Sequence, residues 1–388
     1  MRGIGISSCA AAETGEQQDS RSDFSRNPHK NPMNDMTDKP TVREFPLREA
    51  HALVRDLMTP DPWIYWPDFL FHVVLGWTAF ALALHAPLFS AWQLAAYVIA
   101  SLALYRAVIF VHELAHLKKG TFGAFRLVWN LICGIPLLVP SFTYDGVHND
   151  HHKRDVYGTR EDGEYIPFAT LKPSGMVYYV LLSFALPLIF VSRFLLLTPL
   201  SYLIPPLRRF AWERASSLTI DLSYQRPPDA IRNDTHWRVQ EFATFAFAAA
   251  AVTGAALGAL DWRILVLWYA VTFFIFFLNS LRTLAAHAYR NPGDHSMEFV
   301  EQYLDSINVP GHWFITALWA PVGLRYHATH HLFMSLPYHN LGKAQRRLVS
   351  SLSDNTLCLE TERNSLWDAL RRIWGEAAAN TGQARSGK

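Results

Sequence analysis

Eight of the chain's 17 histidines fall into three short runs: HELAH at 112–116, HNDHH at 148–152 and HATHH at 327–331. Uniform scatter would not gather them so. His112 and His116 are spaced i, i+4. His148, His151 and His152 are spaced i, i+3, i+4, and His327, His330 and His331 repeat that spacing. On a helix each set shares one face, so the pattern predicts three patches of imidazole on three helices. Imidazole is the commonest metal ligand among side chains. A lone HxxxH has low specificity and reads equally well as a surface pair at a lipid headgroup layer. Three such groups in one apolar chain do not. A site of neutral nitrogens suits iron, copper, zinc or nickel, so the residues alone leave the metal open. Zinc has no redox chemistry, and the metal therefore decides between hydrolysis and oxidation.

The remaining motifs narrow the chemistry. Cys9, Cys133 and Cys358 lie far apart and form no CxxC, zinc or iron–sulfur pattern. Neither a G-x-G-x-x-G nor a G-x-S-x-G occurs, so the sequence predicts no fused dinucleotide domain and no nucleophile elbow. Electrons for any oxidation would come from a separate carrier. Arg208, Arg209, Lys343, Arg346 and Arg347 offer an acidic carrier a basic surface, although topology and headgroup binding explain those charges as simply. A net charge of +2 predicts no nucleic-acid partner.

The elements that position the histidines are apolar. The chain is 50% hydrophobic and only 18% charged, below the ~25% usual for soluble chains. Stretches at 69–89, 91–111, 242–260 and 263–281 reach the roughly 20 residues that a membrane-spanning helix needs. Two more, 125–142 and 176–204, contain Pro136 and Pro140, and Pro187 and Pro199, respectively. If the histidines share one site, the spans ending near His112 and near His287 must finish on the same side. Four crossings satisfy this when 125–142 and 176–204 dip in or lie along the surface. The connection 206–241 is rich in arginine, which favours the cytoplasmic side. The expected fold is thus an all-α integral membrane protein. It has four transmembrane helices in two hairpins, re-entrant or interfacial helices, and a histidine-rich cap on the cytoplasmic side, at the inner membrane if the source is bacterial. Gly254 and Gly258 are expected to form a close-packing face for a neighbouring helix. The polar segment 1–45 reads as disordered, residues 46–350 as the membrane domain, and 351–388 as a cytoplasmic tail with an amphipathic helix.

The order and separation of the three runs resemble the histidine boxes of the membrane fatty acid desaturase and hydroxylase superfamily, over roughly residues 65–350. HHLFMSLPYHNL (330–341) resembles the desaturase continuation of the third box. The resemblance implies two irons held by His112, His116, His148, His151, His152, His327, His330 and His331 with a ninth histidine from the end of the last span. His287, in NSLRTLAAHAY, occupies that place. It also implies O2 as co-substrate, a fatty acyl substrate among membrane lipids, and a ferredoxin, rubredoxin or small cytochrome as electron carrier. Geometry permits the ninth ligand. Residues 263–287 would extend about 37 Å as a helix, beyond the roughly 30 Å hydrocarbon core. The acyl-CoA branch carries an Asn four residues before this histidine. Here that residue is Thr283, so the role passes to nothing. Box one is HxxxH rather than HxxxxH, which points toward acyl-lipid desaturases or hydroxylases. The activity expected first is insertion of a double bond into a fatty acyl chain. The alternatives are a hydroxylase or ketolase of a lipid or carotenoid on the same site, a membrane zinc hydrolase, and a haem-binding protein. Metal-bound imidazole usually donates its other N–H to a carboxylate or carbonyl, and Asp150 and Glu161 are the expected partners.

Overall fold

The computed structural model describes residues 44–118, 120–227 and 235–386. The expected disorder of 1–45 lies outside these residues except at Glu44 and Phe45, and Phe45 is buried against Tyr303 with ring centroids 5.1 Å apart. Among the described residues there is no β-strand, only isolated bridges at His287–Ser306, Asn308–Tyr326 and Asn308–Glu362. The chain is an all-α integral membrane protein. In order its helices are α1 (Leu47–Val54), α2 (Pro62–His85), α3 (Ala91–His116), α4 (Phe125–Trp129), α5 (Val147–His151) and α6 (Ser174–Leu181). Next come α7 (Leu186–Ser192), α8 (Thr198–Leu203), α9 (Pro205–Glu213), α10 (Thr235–Ala256) and α11 (Arg263–Leu284). The last six are α12 (Phe299–Asp305), α13 (Ile315–Trp319), α14 (His327–Leu332), α15 (Tyr338–Ser351), α16 (Thr356–Glu360) and α17 (Leu366–Ser386).

The α2–α3 hairpin is built from local signals. Asp61 accepts a hydrogen bond from Trp63 N at 2.9 Å, and Pro62 opens the helix where no N–H is needed. Ser90 caps α3 in the same way, accepting from Gln93 N at 3.1 Å. A Cβ on Gly76 would stand 2.7 Å from Leu104 Cγ, so the glycine lets the two helices approach closely. Outward on α2 stand Trp63, Phe71, Val74 and Leu82, an apolar face that suits hydrocarbon rather than water.

Among the described residues, five helices are long and apolar enough to cross a membrane: α2, α3, α10, α11 and the segment Leu186–Leu203. That last segment is the one expected to dip in or lie along the surface, and the convergence of His116 with His287 still requires an even number of crossings between them. The segment joins α7 to α8 through a π turn at Arg193–Leu197, which carries the chain past Pro199 without ending the helix. The break is held by charge: Glu241 of α10 meets Arg193 at 2.6 Å and Arg208 at 2.8 Å. Consequently α10 leans on this broken helix, while α11 packs on α3, α6 and α7, and the expected second hairpin is loose. The helical stretch at 125–134 is too short to cross, since ten helical residues extend only about 15 Å. The packing role expected of Gly254 and Gly258 is not seen. Gly258 has φ +74°, just past the end of α10, and Ala259 N returns to Gly254 O at 2.8 Å. These glycines stop the helix. The C-terminal α17 is packed rather than trailing: Ile373 and Ala377 are buried, and Glu376 pairs with Arg290 at 2.7 Å.

Candidate metal centre

Each histidine run sits where a helix starts or stops. His112 and His116 end α3, so the helix lifts them to its terminus. His148 and His151 lie on α5 with His152 as its cap, and α14 starts at His327. Gly146 precedes α5 with φ +88°, a conformation that strains a residue with a side chain, and a Cβ there would sit 3.0 Å from Arg226 Nη1. Arg226 clamps this loop. Its guanidinium donates to Asp145 O, to Ser216 O at 3.1 Å and to Ser217 Oγ at 2.9 Å. Asn308, fully buried, fixes the third run: its Oδ1 accepts from Thr329 N at 3.2 Å and its Nδ2 donates to Thr329 Oγ1 at 3.1 Å.

The nine histidines converge in two groups, His112, His116, His148, His152 and His330 in one, and His151, His287, His327 and His331 in the other. Within each group the ring nitrogens lie within 4.8 Å of one another. The groups touch, since the rings of His152 and His331 are 4.2 Å apart. Facing Nε2 atoms approach to 2.9 Å for His327–His287, 3.0 Å for His330–His152 and 3.2 Å for both His152–His148 and His331–His327. Two ligands at right angles on a metal with bonds of about 2.1 Å would stand about 3.0 Å apart. Both ring nitrogens of His112 are buried without a hydrogen-bond partner, as is His116 Nε2. Converging buried lone pairs of this kind fit a cation.

Protonation favours the same fit. Burial first, and neighbouring imidazoles second, hold His148, His152, His327, His330 and His331 well below the usual histidine value, and burial does the same to His287. They are neutral donors of lone pairs. His151 goes the other way. Burial pulls it down, but the adjacent Asp162 outweighs this and raises it.

The opposite ring edges are held by acids. His148 Nδ1 lies 2.8 Å from Glu164 Oε2, and His151 Nδ1 lies 2.8 Å from Asp162 Oδ2. The Tyr157 hydroxyl donates to Asp305 at 2.9 Å and so accepts from His287 Nδ1 at 2.8 Å. Each contact fixes a proton on Nδ1 and leaves Nε2 to bind. Burial pushes Glu164 up to about 7, partly offset by His151. The expected partners, Asp150 and Glu161, are elsewhere: Asp150 pairs with Lys153 at 2.6 Å and Glu161 is exposed. Asp150 neighbours His151 in sequence, but adjacent residues on a helix do not face each other.

A cavity of about 260 Å³ runs from His112, His148, His287 and His327 down an apolar wall that includes Ile109, Leu186 and Phe190. Asn279, Arg282 and Thr283 line it near the histidines. Of the basic residues considered for a carrier, Arg208 is bound to Glu241, Arg209 to Glu213 at 2.8 Å and Arg347 to Asp56.

A helical membrane protein that brings nine histidines, six buried and three part-buried, into two touching groups over an apolar cavity fits the class of membrane enzymes that act on lipids at a metal site. Comparison with known proteins places it further. The Fatty acid desaturase family profile matches residues 90–357. The chain belongs to this family of membrane di-iron desaturases and hydroxylases, and it is an oxidoreductase of lipid metabolism. It is 39% identical over 344 residues to a ceramide hydroxylase of Caulobacter vibrioides (strain NA1000 / CB15N), a match covering 87% of this chain and 96% of that protein.

Proposed function

We propose that the chain is an O2-dependent hydroxylase of a ceramide-type lipid, with His112, His116, His148, His152 and His330 holding one iron and His151, His287, His327 and His331 the other. The observation that carries the reading is the cavity that joins both histidine groups to an apolar wall. The ceramide assignment is supported by similarity over nearly the whole length of a hydroxylase. Bound iron supplies the reduction of O2 and the abstraction of hydrogen from an unactivated C–H bond. The balance is R–H + O2 + two electrons + two protons giving R–OH + H2O. The chain's own residues do the rest. Glu164, Asp162 and the Tyr157–Asp305 pair keep protons on the Nδ1 atoms of His148, His151 and His287. Leu186, Ile189 and Phe190 exclude water from the reacting carbon. The arginines of 206–241 support a cytoplasmic site, where a separate electron carrier docks.

The second reading is desaturation, favoured by the run HHLFMSLPYHNL. It consumes the same O2, electrons and protons, removes two hydrogens from adjacent carbons and releases two waters. Lipids extracted from a ceramide-containing host expressing the protein separate the two by mass. Gain of one oxygen in the N-acyl lipid, dependent on O2, is expected. Loss of two hydrogens would replace hydroxylation with desaturation, and full activity in protein loaded only with zinc would sink both.

A further inference from the structure

Arg193 and Arg226 are buried and Arg282 is part-buried, and the guanidiniums of the first two are fully met. Arg193 reaches Glu241, Thr198 Oγ1 and Ala215 O, so all three of its nitrogens are bonded. Arg226 does the same with Ser217 Oγ, Asp145 O, Ser216 O and Phe142 O. Arg282 does not. Its Nη2 donates to Asn279 Oδ1 at 3.2 Å and to Thr283 Oγ1 at 3.1 Å, while its Nε is buried without a partner. No carboxylate among the described residues lies within 4.0 Å of it. Four phenols, Tyr105, Tyr144, Tyr179 and Tyr289, surround it, and the Tyr105 oxygen can accept from the guanidinium while its own proton goes elsewhere. Tyr105 donates to Trp319 O at 2.9 Å, Tyr289 to Thr283 O at 2.9 Å, and Tyr144 stands 2.9 Å from His148 Nδ1. Leaving a buried donor of a cation without an acceptor is costly.

The place of Arg282 gives the gap a use. It lines the cavity together with His112, His148, His151, His287 and His327. It lies five residues before His287, in the last turn of α11, which ends at Leu284. Its charge is felt at His287, where burial and His151 act first, and at His327. Much of the cavity lining is apolar, including Ile109, Leu186, Ile189, Phe190, Ile275 and Phe276, which suits a hydrocarbon tail.

Resting on the reading of this cavity as the site of lipid oxidation, we propose that Arg282 anchors the polar end of the substrate. The part of its guanidinium that lines the cavity takes an oxygen acceptor, an amide carbonyl or a carboxylate, next to the histidine groups, so the oxidised carbon lies within a few bonds of that oxygen and not far down the chain. A guanidinium fork suits such an acceptor. Asn279 and Thr283 hold the fork in place.

The test is displacement of a fluorescent N-acyl lipid from iron-loaded protein in detergent. The competitors are an N-acyl amino alcohol, a free fatty acid and an alkane of equal length. Wild type should favour one or both oxygen-bearing competitors over the alkane, and whichever is favoured identifies the acceptor. Arg282→Gln should cut that preference about tenfold to a hundredfold, as expected for a hydrogen bond to a charged group. Arg282→Lys, which keeps a donor, should restore part of it. Iron content, measured alongside, should match wild type. An unchanged preference in Arg282→Gln would overturn the proposal, and so would equal weakening of all three competitors, which marks a purely structural role. Absence of oxidised product from wild type would reject the oxidation reading, but it would not alter this binding ratio.

Discussion

Asp162→Asn isolates the role of one buried acid. The Asp162 carboxylate accepts three hydrogen bonds: from His151 Nδ1 at 2.8 Å and Gly158 N at 2.9 Å on Oδ2, and from Glu164 N at 2.9 Å on Oδ1. Asparagine keeps the shape but turns one acceptor into a donor. If its oxygen faces His151 and Gly158, its NH2 opposes the Glu164 N–H, costing about 1–3 kcal/mol for the unsatisfied donor. If it turns the other way, His151 Nδ1 must accept, the proton moves to Nε2, and that nitrogen can no longer bind metal. Loss of such a carboxylate typically costs about 10–100-fold in metal affinity, or about 1.4–2.8 kcal/mol. The loss should fall on the group containing His151 and spare the one built on His112 and His116. Titrating purified protein with a chelator and measuring retained iron reads this directly. Asp162→Asn should release the metal of the His151 group at a chelator concentration where wild type keeps both. Asp150→Asn should behave as wild type, since Asp150 bonds to Lys153 on the surface. If Asp162→Asn holds iron as tightly as wild type, or if Asp150→Asn loses it equally, the assignment of Asp162 as the group that orients His151 is wrong.

His287→Ala should lose both bound iron and activity. His295→Ala, in an exposed loop against Asp294, should keep both, and equal behaviour of the two would remove His287 from the metal site. His148→Ala and His330→Ala should each abolish product formation while membrane-inserted protein accumulates normally; failure of both to accumulate would point to a structural metal. Glu241→Ala strands Arg193 and Arg208 and should destabilise the protein by about 3–5 kcal/mol, read as a lower melting temperature in detergent, and an unchanged melting temperature would refute the role given to this cluster.

The histidines were legible because helical spacing is written locally: i, i+3, i+4 needs no knowledge of the fold. His287 was legible only through a resemblance and a helix length. The acids were not. Asp162 and Glu164 reach His151 and His148 from a loop 11 and 16 residues away, and Asp305 acts on His287 through Tyr157, which is 130 residues distant from it in sequence. Nothing in the local pattern distinguishes Asp162 from Glu161 next to it, yet one is buried and the other exposed. The spans were legible as apolar runs, but their packing was not. Pro187 and Pro199 suggested that 176–204 would bend. The five-residue π turn that keeps it helical depends on Glu241 of a distant helix. Arg226 counted in sequence only as one positive charge of the 206–241 connection, and nothing in the pattern singled out Arg282.

One part of the cavity wall comes from a segment that carries none of the nine histidines. Leu182, Leu186, Ile189 and Phe190 belong to the segment 174–203, which contributes no histidine; the ligands stand on α3, α5 and α14 and just beyond α11. Mutations in that one broken segment can therefore reshape which lipid fits while the nine imidazoles stay in register. Such a division of labour lets one oxidising centre be inherited unchanged while its clientele diversifies. It also makes residues 174–203 the natural stretch to exchange between relatives when redirecting the enzyme to a new lipid.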